Sequence, residues 1–190
     1  MKFIATIVFA VVSASVLADD QVRENDWEAL LSGEVIVDSV ENSAGVLGVR
    51  AQFVITAPRQ KIWQTLLDYK NFTKIFEGLD KLQVLEENKS GAYVEFWIDA
   101  VLKKLHYVLY RKYSVEGVRL DWNRVSGDLK TIQGSWHIKE TTVPNKKLVI
   151  YESYVDIGYS VITWVVRLGA KAKAKKMAYG LRQWLEQSQQ

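Results

Sequence analysis

The last long stretch of the chain, residues 160–187, has the hydrophobic periodicity of a helix. Its apolar positions recur every three or four residues, a spacing that keeps one helical face on a core. The members of this apolar stripe are Val166, Ala170, Ala174, Met177, Leu181 and Trp184. The stripe is small in the middle and bulky towards its ends. It predicts a C-terminal helix whose alanines either let a sheet approach closely or leave room for something else.

Before this helix, most of the chain alternates apolar and polar residues between short turn sequences. The predicted strands cover residues 34–40, 46–56, 81–87, 92–100, 105–115, 118–125, 132–142 and 147–157. Shorter helices are predicted at 26–31 and after Pro58, and residues 72–78 form a helical turn or a lid-like loop. Short links between successive strands favour antiparallel neighbours. The order predicts one α+β domain in which a curved antiparallel sheet wraps around the C-terminal helix.

The segment 105–115 does not show which of its faces is buried. Bulky and charged residues occur on both faces, with Tyr107, Leu109 and Arg111 on one and Val108, Tyr110 and Lys112 on the other. One interpretation is a strand with aromatic residues on its solvated face. The other is an inner face that lines a cavity and carries some polar groups. Both interpretations are open at the level of the sequence.

The first 18 residues have the composition of a secretory signal peptide. Lys2 is followed by an apolar run over residues 3–12 and by small residues up to Ala18. We expect cleavage after Ala18, a single domain over residues 19–190, and a periplasmic location. The alternative is an uncleaved N-terminal anchor. The chain has no Cys, so an exported form would depend on its apolar core rather than on disulfides.

Charge and residue content argue against several classes of function. The formal net charge is +3, and it falls to +2 without the single Lys of residues 1–18, which is too weak to indicate nucleic acid. His106 and His137 lie on different predicted strands without an acidic neighbour at a ligand spacing, so no metal site or other cofactor is expected. No Gly-x-Ser-x-Gly sequence supports a hydrolase. We expect a monomer.

Three stretches of the sequence carry a family resemblance. They are Ala57-Pro58 with Ile62-Trp63, Leu66-Leu67-Asp68-Tyr69 and Phe76; Val125-Ser126-Gly127-Asp128-Leu129-Lys130 with Gly134-Ser135-Trp136; and Leu181-Arg182-Gln183-Trp184-Leu185. With the strand order, they resemble the START-like helix-grip (SRPBCC) superfamily, which includes polyketide cyclases, coenzyme Q-binding proteins and lipid-transfer domains. The resemblance covers roughly residues 31–186. Its patterns are diffuse, so they point to the fold more strongly than to an activity.

The resemblance implies a tunnel between the sheet and the C-terminal helix, of the kind that holds a lipid, sterol, quinone or polyketide. The expected function is therefore the binding or transport of a hydrophobic ligand. The residues expected to bind it are the wall aromatics Tyr107, Trp122, Trp136 and Tyr151, the helix residues Ala170, Ala174 and Met177, and the cations Arg111 and Arg124. Each aromatic residue is equally compatible with a plain core, and each arginine with an ion pair at a turn.

Two further hypotheses come from the same residues. An enzyme of the cyclase or dehydratase kind would need an acid–base group in the tunnel, and the candidates are Tyr107, Arg111, Asp128 and His137. A transient contact with a membrane surface would use one side of the last helix, where basic and apolar residues lie together. The residues on that side are Trp164, Leu168, Lys171, Lys175 and Arg182. The alternative is a solvated face whose apolar start packs under the sheet.

Overall fold

The computed structural model describes residues 22–99, 104–158 and 163–187, with side chains from residue 169 onwards in the last segment. The expected signal peptide, the predicted helix start at residue 160, and the side chains of Trp164, Val166 and Leu168 lie outside that description. The helices of the described segments are α1 (Trp27–Leu31), α2 (Arg59–Leu67), α3 (Phe72–Ile75) and α4 (Thr163–Gln187). The strands are β1 (Val35–Glu41), β2 (Leu47–Thr56), β3 (Leu79–Asn88), β4 (Gly91–Asp99), β5 (Lys104–Val115), β6 (Arg119–Gly127), β7 (Thr131–Glu140) and β8 (Lys146–Asp156).

The strands form one open antiparallel sheet in the order β1-β2-β8-β7-β6-β5-β4-β3. Consecutive strands from β3 to β8 are neighbours, and β8 then pairs with β2. The sheet curves around the C-terminal helix, which confirms the predicted α+β helix-grip architecture. Every strand bound falls within two residues of the bound predicted from alternation. The pattern was informative because most of the sheet has one buried face and each strand alternates across it.

The structure decides which face of β5 is inside. Leu105, Tyr107, Leu109 and Arg111 are all buried on the concave side, whereas Lys112 is exposed. The second interpretation of this segment, an inner face with polar groups, is therefore the one that the structure supports.

A small second core covers the outer face of the sheet near its β1 edge. Leu30 of α1 packs there with Val54, Leu148 and Ile150, all of them buried. Because β2 and β8 are covered on both faces, this end of the sheet is the better packed one. It provides a rigid base for α4.

α4 packs on that same end of the sheet. Its buried side chains are Ala174, Ala178, Leu181 and Leu185, and its close backbone contacts are with β1, β2, α2 and α3. Arg182 fixes the helix further, because its Nε donates to the carbonyl oxygen of Val54 at 3.1 Å and its Nη1 to that of Gly33 at 2.6 Å. Arg182 therefore ties α4 to the sheet and does not belong to a free basic face, in contrast to the expectation.

Gly180 permits a close approach between α4 and α3. A Cβ built on Gly180 would lie 2.2 Å from the carbonyl oxygen of Ile75, much closer than atoms pack. Gly169, in the same helix, has nothing within 4 Å of the equivalent position. The α3–α4 contact therefore requires glycine at residue 180, whereas residue 169 has space for a side chain.

We expect Gly180→Ala to destabilise the protein by about 1–3 kcal/mol, because the added methyl group forces α3 away from α4. Gly169→Ala is the matched control and should stabilise the protein by up to about 1 kcal/mol, since alanine is the better helix former. Urea denaturation of both variants measures the difference in the free energy of unfolding. Equal effects of the two substitutions would contradict the close α3–α4 contact.

Candidate functional site: a cavity between the sheet and the C-terminal helix

A cavity of about 710 Å³ lies between the concave face of the sheet, α3 and α4. Strands β2 to β8 supply its walls, and Ala170, Ala174 and Met177 of α4 supply the opposite side. Most of the lining side chains are apolar or aromatic. The cavity exists because α4 packs at the β1–β2 end, while its small residues face the rest of the concave surface.

A transverse row of paired residues shapes the middle of the cavity. Arg111 pairs with Trp122 across β5 and β6, Trp122 with Gly134, and Gly134 with Ser153 of β8. A Cβ on Gly134 would lie 2.4 Å from the Trp122 ring. The absence of a side chain at residue 134 therefore lets the indole lie across β7 towards Tyr151.

Aromatic rings form a continuous part of the wall. Tyr151 stacks on Trp122 with ring centroids 5.6 Å apart and contacts Trp136 at 4.7 Å. Trp136 also stacks at 6.4 Å on Phe76, which follows α3. The wall is thus continuous from β6 to the segment after α3. Rings held by one another present a fixed apolar surface to the cavity.

Arg111 is the charged residue in the depth of this site. Its side chain is 3% exposed, and its Nη2 donates to the carbonyl oxygen of Leu66 at 3.2 Å. The guanidinium carbon lies 5.0 Å from the ring centroids of both Tyr69 and Phe72. Nη1 is buried without a hydrogen-bond partner. The expected alternative of an ion pair is not seen for Arg111 among the residues that the structure describes.

Two tyrosine hydroxyls and one serine add polarity to the wall. Burial raises the pKa of Tyr107 well above its ordinary value, and the neighbouring Tyr151 adds to the effect. Burial also raises the pKa of Tyr151, while a hydrogen bond with Ser153 and the charge of Arg111 act in the opposite direction. Both phenols are therefore neutral at ordinary pH and offer hydrogen bonds rather than charge.

The opening of the cavity is marked by those lining residues that are exposed to solvent. The exposed lining residues are Ala44 and Gly45 of the β1–β2 turn, Glu77 and Gly78 after α3, Lys130 before β7, and Lys173 of α4. Lys130 forms an ion pair with Asp156 at 2.9 Å, and this contact lowers the pKa of Asp156. Charges of both signs thus surround the opening.

All but one of the predicted ligand-binding residues line this cavity. Those that do are Tyr107, Arg111, Trp122, Trp136, Tyr151, Ala170, Ala174 and Met177. Arg124 does not: it is exposed, and its Nη2 donates to the carbonyl oxygen of Gly127 at 2.9 Å. The pairing of β6 with β7 ends at Asn123, and the β5–β6 register shifts just beyond Arg124. Strand alternation therefore no longer places Arg124 over the concave face.

Two of the proposed acid–base residues also lie away from the cavity lining. The Asp128 carboxylate accepts a hydrogen bond from the backbone N–H of His106 at 2.8 Å, and so fixes the turn after β6. His137 lies between the inward-facing Trp136 and Ile138, on the other side of β7. Of the four candidates, Tyr107 and Arg111 are part of the cavity wall.

Several lining residues were not identified from the sequence as ligand contacts. The main ones are Phe72, Phe76, Phe96, Ile98, Ser153 and Val155. Alternation with Tyr151 places Ser153 and Val155 on its face, so this signal was available. Phe72 and Phe76 belong to the segment predicted as a lid-like loop, and no periodicity in so short a stretch indicates which way the rings point.

The comparisons with known proteins give the family. The sequence model of the family described as "Polyketide cyclase / dehydrase and lipid transport" matches residues 55–182. The fold and the cavity between the sheet and α4 define a helix-grip protein of the START type, and the chain belongs to this polyketide cyclase/dehydrase and lipid transport family. The comparison with curated proteins gives no match.

Solved structures with the same fold have sequences that differ widely from this chain. The Zhui aromatase/cyclase from Streptomyces sp. R1128 has a TM-score of 0.66 at 12% identity, covering 75% of this chain and 95% of that one. The STAR-related lipid transfer protein from Xanthomonas axonopodis (fragment 25–204) has a TM-score of 0.66 at 16% identity, covering 81% and 93%. Human StAR-related lipid transfer protein 5 has a TM-score of 0.66 at 10% identity, covering 82% and 84%. At these identities the likeness shows the fold.

Neither a membrane-crossing helix nor a metal cluster is found within the described segments. No helix there combines the length and the hydropathy needed to cross a membrane. No group of three or more His, Cys, Asp or Glu side chains there is placed to hold a metal ion.

The buried phenol of Tyr107 predicts a loss of stability in alkaline solution. Above about pH 10, tyrosines of the unfolded chain release their protons, whereas Tyr107 in the folded protein retains its own. Folding stability is thus present below this pH and decreases as the pH rises above it. We expect Tyr107→Phe to reduce the slope of the free energy of unfolding, measured by urea denaturation from pH 8 to 11.

Tyr179→Phe is the matched control, because Tyr179 is 43% exposed on α4. It should leave the slope unchanged. If both substitutions changed the slope equally, the burial of the Tyr107 hydroxyl would be refuted.

Proposed function

We propose that this protein binds and carries a hydrophobic ligand of the lipid, sterol or quinone class in the cavity between its sheet and α4. The observation that carries the proposal is the cavity itself, about 710 Å³ in volume and lined mainly by apolar and aromatic side chains. Ligand pockets are typically of this size, mostly apolar, with a few polar groups that fix orientation. Membership of a family described by both cyclase and lipid-transport functions supports the same class of ligand.

The driving force for binding is the removal of apolar surface from water. The wall formed by Trp122, Tyr151 and Trp136 is held by ring–ring contacts, so it requires little reorganisation when a ligand arrives. A ligand that fills the cavity buries its own apolar surface against these rings. Ligand size and shape are therefore the first determinants of affinity.

The proposed route of the ligand passes the segment after α3. Glu77 accepts a hydrogen bond from Lys176 of α4 at 2.8 Å, and Gly78 has a φ of +82°. The salt bridge is exposed, so it holds the segment against α4 only weakly. Movement of Glu77 and Gly78, which follow the close contact of Ile75 with Gly180, would widen the opening between this segment and the β1–β2 turn.

A cyclase- or dehydratase-type activity on a hydrophobic substrate is the second candidate. The observation that favours it is the presence of Tyr107 and Arg111 in the cavity wall, where a phenol and a guanidinium are available as hydrogen-bond donors. A general base among the lining residues would have to come from Glu77, Asp156 or Lys173, which lie at the opening. Burial lowers the pKa of Lys173. Because the hydroxyls in the depth have raised pKa values, binding is the first proposal.

Location and partners extend this proposal. We propose that residues 1–18 direct export, that the protein acts as a periplasmic monomer, and that it does not bind nucleic acid. The basic residues Lys171 and Lys175 of α4 would meet a membrane surface during ligand transfer. Arg182 is not part of this contact, because it is bonded to the backbone of the sheet and of the α1–β1 turn.

Narrowing the cavity from α4 tests the proposed binding. We expect Ala170→Phe to weaken the binding of the neutral apolar fluorophore N-phenyl-1-naphthylamine at least tenfold, because the added ring occupies ligand space. Ala172→Phe is the control, since Ala172 lies two residues away on the exposed side of the helix. Fluorescence titration gives the affinities, and urea denaturation checks that both variants are folded.

The expected control result is an unchanged affinity for Ala172→Phe. If Ala170→Phe bound the fluorophore as tightly as the unmodified protein, the cavity would not be the binding site and the proposal would fail.

A further inference from the structure

Arg111 places a positive charge in the depth of an apolar site. Arg111 is one of the lining residues of the cavity. Its Nη2 donates to one carbonyl oxygen, and its buried Nη1 has no hydrogen-bond partner. No ion pair joins it to a carboxylate within residues 22–99, 104–158 and 169–187. The Glu87 carboxylate binds the Tyr113 hydroxyl at 2.6 Å instead.

An unpaired buried charge costs stability, and the contacts present offset this cost only in part. The faces of Tyr69 and Phe72 attract the cation, and the Leu66 carbonyl oxygen accepts one hydrogen bond. A buried charge is normally matched by a counter-ion with complementary hydrogen bonds. Departures from this rule are concentrated at functional sites.

Arg111 lies at the end of the cavity that is remote from the opening. Tyr107 pairs with Gly127, near the turn that leads to Lys130 at the opening, and Arg111 lies four residues further along the same face of β5. At about 3.3 Å per residue, this is about 13 Å deeper along the strand. At the opening, the Lys130 ammonium already has Asp156 as its partner. Lys173, the other cation at the opening, is exposed to solvent, so the buried cation is the one at the inner end of the cavity.

We propose that the ligand is an amphiphile with an anionic oxygen group, a carboxylate or a phosphate, which enters first and pairs with Arg111. This inference rests on the proposed function. The apolar tail would then extend past Trp122 and Tyr151 towards the opening. A neutral hydroxyl or carbonyl oxygen would accept a hydrogen bond but would leave the charge uncompensated, so an anion is favoured.

One aromatic side chain has to move for this contact to form. Nη1 of Arg111 is enclosed by its neighbours, and Phe72 both lines the cavity and covers the guanidinium. Phe72 begins the four-residue helix α3, next to the segment proposed to open. Displacement of its ring would uncover Nη1 on the cavity side.

The test compares ligands with one tail and different heads. Palmitate, hexadecyl phosphate and hexadecanol are titrated into the full chain by displacement of N-phenyl-1-naphthylamine, and inorganic phosphate is titrated alone by calorimetry. We expect the two anionic amphiphiles to bind at least tenfold more tightly than hexadecanol, and inorganic phosphate not to bind measurably. Palmitate and hexadecyl phosphate together distinguish a carboxylate head from a phosphate head.

Two matched variants assign the preference to one residue. Arg111→Met should remove the advantage of the anionic amphiphiles while leaving the affinity for hexadecanol unchanged. Arg124→Met removes an exposed arginine outside the cavity and should change neither affinity. If Arg111→Met does not fold, Arg111→Gln is titrated in its place, because it removes the charge and keeps a polar side chain. A variant is needed because Lys130 and Lys173 at the opening also carry positive charge.

Several results would overturn the inference. They are equal affinities for palmitate, hexadecyl phosphate and hexadecanol, an equal loss in Arg111→Met and Arg124→Met, or inorganic phosphate binding as tightly as hexadecyl phosphate. Equal, measurable binding of all three amphiphiles would leave the proposed carrier function intact. Failure of every amphiphile and of the fluorophore to bind would remove the proposed function as well.

Discussion

The packing of α4 on one end of the sheet is the constraint on which the rest of the structure depends. Ala178, Leu181 and Leu185 are fully buried, and Arg182 bonds to backbone oxygens of β2 and of the α1–β1 turn. With the C-terminal part of the helix fixed there, the small side chains of Ala170 and Ala174 face the remaining concave surface. Bulky helix residues would fill the space over these strands, whereas the small ones leave a cavity there. The cavity is thus a consequence of where the helix is anchored and of which residues it carries.

The cavity wall combines rigidity with sparse polarity. Trp122, Trp136 and Tyr151 support one another, and Gly134 provides the space that lets the Trp122 ring cross β7. Burial keeps the phenols neutral, so Arg111 contributes the charge in the depth of the wall. Such a surface gains affinity by removing the apolar part of a ligand from water. It distinguishes between ligands by the polar group with which its few polar side chains can pair. The same wall is compatible with a carrier and with an enzyme that folds a reactive chain, which is the range of functions in the family description.

Most of the fold was predictable because most of its strands have one buried face and short, turn-rich connections. Alternation identified the strands to within two residues, and the stripe of α4 identified the helix that they enclose. Prediction was weakest where the alternation of inward- and outward-facing residues was interrupted, and where a segment was too short to show any periodicity. Arg124 lies where β6 loses its β7 neighbour, so its position two residues after Trp122 wrongly predicted that it faces the cavity. Phe72 and Phe76 lie in a segment too short to show a period. The resemblance supplied the expectation of a tunnel, which no local pattern contains.

The sequence by itself determined the α+β class and the order of the elements, because these follow from local periodicity and turn chemistry. It also placed Arg111 among the residues that an inner face would carry. Only the tertiary structure decided that Arg111 has no carboxylate partner within the described segments, that Arg182 is bonded to backbone oxygens, and that space remains beside Ala170 and Ala174. These properties depend on distances between elements remote in the chain, which periodicity along one segment does not encode.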